Sequence, residues 1–244
     1  MRKSDSILYS LVLPCFNEIE TLPWLLTSLE KELKGNTNTE IIFVDNGSRD
    51  GTGSFINDEL KKPSLGFGRL VKVFPNRGYG NGIRSGLAVS QGKFVGWTHA
   101  DSQYNPAQVL NAFRCITETP VPTRSFVKGK RRGRNLLDIS FTMGMSVVAS
   151  MALKMSLWDV NAQPKIFPRE FLQLLNQAPD DFSLDLFALV KARQNGYSLI
   201  EMPIDFQPRL HGVAKGGGAL SLKWKLTKRT FQYIRQLQSQ IREG

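Results

Sequence analysis

Thr98-His99-Ala100-Asp101-Ser102-Gln103 gathers three metal-ligand side chains into one short segment. The apolar run Phe94-Val95-Gly96-Trp97 precedes it and reads as a buried strand. His99, Asp101 and Gln103 alternate, and in an extended chain alternate side chains point to one side. An imidazole nitrogen, a carboxylate and an amide oxygen can then converge on one divalent cation at a strand end. The set suits Mg²⁺ or Mn²⁺, although imidazole is softer than Mg²⁺ usually selects. A polar strand-to-loop exit is the competing reading.

The elements around this segment repeat a simple alternation. Ile7 to Leu13 reads as a first strand ending at Pro14, with Asn17-Glu18 in the turn. Leu22, Leu25, Leu26, Leu29 and Leu33 have helical spacing over Thr21 to Leu33. Glu40 to Asp45 reads as a second buried strand, and Asn46 to Thr52 has turn chemistry. A helix over Gly53 to Leu60, a strand over Leu70 to Phe74, a Gly-opened helix over Gly78 to Ser90 and a strand over Gly92 to Thr98 follow. This order predicts an α/β fold, a mostly parallel sheet of Rossmann-like βαβ units flanked by helices. Ligands bind such sheets beyond the carboxyl ends of the strands. Pro14 to Glu18, Asp45 and His99 to Gln103 all fall on that rim.

The second half is less regular. Lys128 to Arg134 contains five basic residues. Ile139 to Leu153 is an uncharged run, short of the ~18–20 apolar residues of a membrane span, and reads as a buried or interfacial helix. A helix near Ser183 to Asn195 and a strand over Ser198 to Ile204 lead to a Gly-rich loop holding Arg209 and Lys215. Leu220 to Ile241 has apolar residues at roughly helical spacing, with Lys and Arg between them. The expected organisation is a catalytic domain over 1–218 and a basic amphipathic helix over 219–244.

Of the 244 residues, 41% are hydrophobic, enough for a sizeable core. The net charge of +11 calls for an anionic partner, such as nucleotide phosphates or phospholipid. Nucleic acid is disfavoured because the basic runs are poor in the aromatic residues on which bases stack. Cys15 and Cys115 have no paired or metal-type spacing, which fits a reduced, cytoplasmic compartment. The first residues lack a signal-peptide apolar region.

Taken in order, Leu13-Pro14-Cys15-Phe16-Asn17-Glu18, Val44 to Thr52, Asn76-Arg77-Gly78-Tyr79-Gly80, His99 to Gln103, and Arg209 with Lys215 resemble glycosyltransferase family 2. Within it they are most similar to the dolichyl- or polyprenyl-phosphate sugar synthases, over roughly residues 7–215. The resemblance implies a glycosyltransferase-A fold. It places Pro14, Phe16 and Glu18 in the nucleoside pocket, and Phe43 and Asp45 near base and ribose. His99-Ala100-Asp101 stands in place of the family's Asp-x-Asp, with Gln103 as a further metal ligand. Arg131 matches an arginine near the reacting phosphates, and Arg209 and Lys215 a basic pair that closes over the diphosphate. His99, Asn46 and Gln163-Pro164-Lys165 depart from the family's Asp, Asp and Gly-Phe-Arg/Lys.

That resemblance implies an inverting transferase using a nucleotide-sugar donor and Mg²⁺ or Mn²⁺. Lys130, Arg131, Arg134 and Lys165 would meet the phosphate of a polyprenyl-phosphate acceptor. The basic terminal helix would attach the protein peripherally to a membrane. A lipid phosphate is already anionic, whereas a sugar hydroxyl needs a general base. Asp185 is the candidate base, or else simply an acid at a helix N-terminus. Transfer to a glycan hydroxyl and a non-catalytic nucleotide-sugar binder are the alternatives.

Overall fold

A computed structural model of the chain describes residues 7–133, 146–209 and 232–239. Arg134, Lys215, the Gly-rich loop, residues 139–145 of the uncharged run and the 218/219 boundary lie outside them.

The first half alternates as its patterning predicts: β1 (Tyr9–Cys15), α1 (Leu22–Glu32), β2 (Thr39–Asp45), α2 (Thr52–Glu59), β3 (Gly68–Lys72), α3 (Tyr79–Val89) and β4 (Phe94–Trp97). Next come α4 (Pro106–Thr117), β5 (Ser125–Arg132), the helical residues 146–153 (α5), β6 (Lys165–Pro168), α6 (Leu184–Gln194), β7 (Ser198–Asp205) and the helical residues 232–239 (α7). The strands form one sheet in the order β3-β2-β1-β4-β6-β5-β7. β6 runs antiparallel to β4 and β5, and every other neighbouring pair is parallel. Cys15, Asp45, Trp97 and Arg132 therefore end their strands on one rim, and Lys165, opposite Trp97, begins β6 there.

Strands buried on both faces need cover on both. Val12, Ile42, Val44, Val95 and Trp97 pack with α3, α5, α6 and, through Ile234 and Leu237, α7. Leu11, Leu13, Ile41, Phe43 and Phe94 pack with α1 and α4 on the other face.

The basic run, for which no element was predicted, is β5 as far as Arg132, with Lys128 buried in it. β3 lies two residues earlier than expected, leaving Phe74 beyond the strand and 90% exposed. α4 carried no prediction, yet it has a clear start signal: Asn105 Oδ1 accepts the Ala107 N–H ahead of Pro106.

Candidate active site

Beyond the strand ends lies a cavity of 290 Å³, lined by Pro14, Phe16, Glu18, Asn46, Tyr79, His99, Ala100, Asp101, Phe182 and Arg209, among others. It brings together seven of the residues assigned to the donor: Pro14, Phe16, Glu18, His99, Ala100, Asp101 and Arg209. Phe43 is not among them. Its ring is fully buried in the core, because its register position turns it toward α1 rather than the rim. Asp45 ends β2, where its Oδ1 accepts the Ser48 N–H and shapes the following turn.

The 99–103 segment is not extended, contrary to the alternation argument. β4 stops at Trp97, and Ser102 takes a left-handed φ of 62° in a turn. The turn still brings the ligand atoms together. Arg209 Nη2 lies 2.6 Å from Asp101 Oδ2, and Arg209 Nε donates to Gln103 Oε1 at 3.3 Å. Two hard oxygen donors thus meet on one cation, here a guanidinium. This donor set fits a divalent metal ion. His99 Nδ1 stands 3.7 Å from Asp101 Oδ2, and its Nε2 faces Tyr79 Oη at 3.1 Å. Burial, partly opposed by the carboxylates of Asp101 and Asp185, holds the imidazole below its usual pKa and therefore neutral at pH 7.

Behind this wall lies a buried polar chain. Asp185 is 2% exposed. Its Oδ1 accepts from Lys165 Nζ at 2.8 Å, Gln163 Nε2 at 3.0 Å and Trp97 Nε1 at 3.2 Å. Gln163 Nε2 also reaches Tyr79 Oη at 3.2 Å. Burial first, then the Asp185 charge, drives the Tyr79 phenol well above its usual pKa. Burial lowers that of Lys165, against the opposing pull of Asp185.

These contacts correct two assignments. Asp185 is neither an exposed helix acid nor a base on the cavity wall: it faces inward because α6 packs that side against β4 and β6. Lys165 is fully buried and spent on Asp185 and the Ala162 carbonyl, so it does not face an acceptor phosphate. Arg131 and Lys130 part company, as neighbours on a strand must. The Arg131 guanidinium is paired with buried Asp159 and lies 5.5 Å from the Phe206 ring centre. Lys130 shares Glu201 with Lys128 in a separate pocket bordered by Arg193.

Four residues of the site carried no prediction of their own. Asn46 donates to the Gly78 carbonyl at 2.9 Å, while its buried Oδ1 has no hydrogen-bond partner among the described residues. Tyr79 stacks on Phe182 with ring centres 4.7 Å apart. Gln163 sits close under β5, where a Cβ at Gly129 would overlap its carbonyl. The segment bearing Phe182 is pinned by Arg84, which donates to the carbonyls of Asn176 and Ala178, and by the Asn81 N–H on the Asp180 carbonyl. Asn46 and Gln163 were legible as departures from the family's pattern and Tyr79 as part of a motif; the role of each, and the presence of Phe182, depend on contacts distant in sequence.

Comparison with known proteins bears on the family and the fold. The family model for glycosyl transferase family 2 matches residues 10–145, more than half of the chain. A polyprenol monophosphomannose synthase of Mycolicibacterium smegmatis is 25% identical over 85% of this chain and 80% of its own length. A dolichyl-phosphate beta-glucosyltransferase of Dictyostelium discoideum is 32% identical, but over 40% of this chain and 32% of its own length. An undecaprenyl-phosphate 4-deoxy-4-formamido-L-arabinose transferase of Aeromonas hydrophila is 26% identical over 89% of this chain and 65% of its own. The chain thus spans from about a third to four fifths of these relatives.

Among solved structures, a mannosyltransferase from Pyrobaculum calidifontis in complex with GDP-Man and Mn²⁺ superposes with a TM-score of 0.64 at 21% identity, covering 90% of this chain and 60% of that one. A glucosyl-3-phosphoglycerate synthase from Mycobacterium tuberculosis, in complex with Mn²⁺, UDP-glucose and phosphoglyceric acid, gives 0.73 at 17% identity, over 95% and 80%. Both share the glycosyltransferase-A fold seen here.

Proposed function

This chain belongs to glycosyl transferase family 2, and from that premise we propose that it moves a glycosyl group from a nucleoside-diphosphate sugar to a polyprenyl phosphate, inverting the anomeric carbon. The observation that carries the reading is the meeting of Asp101, Gln103 and Arg209 at the wall of a cavity lined by Pro14, Phe16 and Glu18. The three relatives named for polyprenyl, dolichyl or undecaprenyl phosphates support the acceptor class.

In the reaction the bond between the anomeric carbon and the diphosphate oxygen breaks, and the nucleoside diphosphate leaves with the electron pair. An oxygen of the acceptor phosphate forms the new bond from the opposite face. Asp101 and Gln103 would hold Mg²⁺ or Mn²⁺, which when bound offsets the charge growing on the diphosphate. Arg209 supplies a second positive group at the same point, and Lys215 on the same loop is proposed to join it. Fixed charges aimed at developing charge contribute more than most other catalytic devices. Phe16 and Phe182 offer the donor apolar surface.

A phosphate nucleophile needs no general base, which agrees with the enclosure of Asp185. Transfer to a glycan hydroxyl is the weaker reading, because that base is already engaged by three donors. Arg131 and Arg134 remain proposed contacts of the acceptor phosphate, Arg131 on exchanging Asp159 for it. No helix among the described residues is long and apolar enough to cross a membrane. Peripheral attachment at the cytoplasmic face is proposed instead, supported by exposed Val147 and Met151 one turn apart on α5.

The test is transfer by the purified protein with Mn²⁺ or Mg²⁺, a panel of UDP-, GDP- and CDP-sugars and a polyprenyl phosphate. A glycosylated lipid phosphate is expected with one donor class. Nucleotide binding without turnover across the panel would favour a non-catalytic binder and overturn the proposal.

A further inference from the structure

We propose that His99 has no lone pair to give a cation: a buried chain from Asp185 through Gln163 and Tyr79 fixes its hydrogen on Nδ1, and His99 turns that N–H toward Asp101. The inference rests on the reading above for the identity of the site, and the links from Asp185 to His99 Nε2 are set by hydrogen-bond direction.

The chain starts at Asp185, whose carboxylate only accepts. With Lys165 and Trp97 already donating to Oδ1, Gln163 at 3.0 Å must present its NH₂ group there. Turning the amide over would set two oxygens against each other. The cost of the adopted orientation is visible, since Gln163 Oε1 is left buried without a partner among the described residues. The same Nε2 lies 3.2 Å from Tyr79 Oη, so its second hydrogen goes to the phenol oxygen.

Tyr79 therefore accepts from the chain behind it, and among the described residues its own hydrogen has one acceptor in reach, His99 Nε2 at 3.1 Å. A neutral imidazole that accepts at Nε2 carries its hydrogen on Nδ1. That is the nitrogen 3.7 Å from Asp101 Oδ2. The separation is long for a hydrogen bond, but an N–H dipole there supports the carboxylate's charge where a lone pair would oppose it. One ring nitrogen is thus occupied and the other protonated. Asp101 and Gln103 remain as the side-chain oxygen donors of the motif, and Tyr79 and Gln163 are positioning residues.

The measurement is ¹⁵N NMR of the imidazoles in the full-length, metal-free protein. The chain has two histidines, so a His211→Gln variant assigns the signals. The expected spectrum shows His99 protonated at Nδ1 and bare at Nε2; protonation at Nε2 overturns the inference. Tyr79→Phe removes only the phenol hydroxyl and should turn the single tautomer into a mixture, whereas an unchanged spectrum would remove Tyr79 from the chain. With Mn²⁺ added, electron spin-echo spectra should show no coordinated imidazole nitrogen, and a histidine coupling would also overturn it. If Mn²⁺ fails to bind at all, the metal reading of the site falls, while the tautomer is still decided by the metal-free spectrum.

Discussion

Lys165 and Asp185 are a charge pair taken wholly out of water, at 0% and 2% exposure. Such pairs contribute little net stability, but breaking one leaves a bare charge in the core. Lys165→Met is therefore expected to cost about 3–5 kcal/mol, read as a lowered urea midpoint. Replacing Asp185 with Leu in the same protein should recover most of that loss; equal damage from single and double variants would mean that packing, not charge, sets the cost. Arg209 acts at the opposite end of the site. Arg209→Ala should lower kcat by roughly 10²–10³-fold, the usual cost of removing one donor to a developing charge. If KM for the donor rose instead and kcat held, Arg209 would bind ground and transition states alike. At this scale the sequence was legible where a side chain's type declares its chemistry, as with Asp101 and Gln103, while Arg209 was reached only through the family resemblance. It was opaque where direction matters: nothing in Lys130-Arg131 says which faces Glu201 and which Asp159.

Hydrophobic patterning made the first-half elements readable, because β1, β2 and β4 are buried on both faces and α1 and α3 on one. The pattern fails in β5, where Lys128, Lys130, Arg131 and Arg132 look like a solvated loop. That strand forms because β7 pairs with it along its whole length and Glu201 and Asp159 take up its charges. The convergence of Asp101 and Gln103 was expected for the wrong reason, a straight strand, and is delivered by a turn at Ser102. Element geometry also makes Gly78 a sensitive position. Its φ is +124°, and a Cβ would overlap the Asp180 carbonyl. Gly78→Ala should cost on the order of 1–3 kcal/mol and push the Phe182 segment off Tyr79. Calorimetric nucleotide titration checks the second effect, and unchanged affinity would mean that the segment does not shape the donor cavity. On α5 the exposed Met151 tests membrane contact: Met151→Glu should reduce co-sedimentation with anionic vesicles, and equal binding would place the contact elsewhere.

For the whole molecule, the buried titratable groups set how stability varies with pH. His99, Lys128 and Lys165 all have pKa values lowered chiefly by burial, with nearby carboxylates opposing. Between its folded and unfolded pKa each binds more protons when unfolded, so stability rises with pH. The histidine contribution is complete above about pH 6.5 and the lysine contributions above about pH 10.4. Tyr79, Tyr104 and Tyr233 are shifted the other way, again mainly by burial. Asp185 adds to the effect at Tyr79 and Asp181 at Tyr233, while Arg131 works against it at Tyr104. Their phenols are protonated in both states below about pH 10 and contribute no slope there. Above it the unfolded chain releases those protons and the fold keeps them, so stability falls by up to about 1.4 kcal/mol per pH unit for each group. Urea denaturation from pH 5 to 11.5 should therefore give stability that climbs into the alkaline range and turns over near the free phenol pKa. Beyond the turn, phenolate absorbance should appear together with loss of tertiary structure, because these tyrosines ionise by unfolding. A phenolate identified by ring-specific NMR as Tyr79 or Tyr104 in a protein that remains folded at pH 11 would contradict the enclosure of those two rings on which the geometry of the site depends.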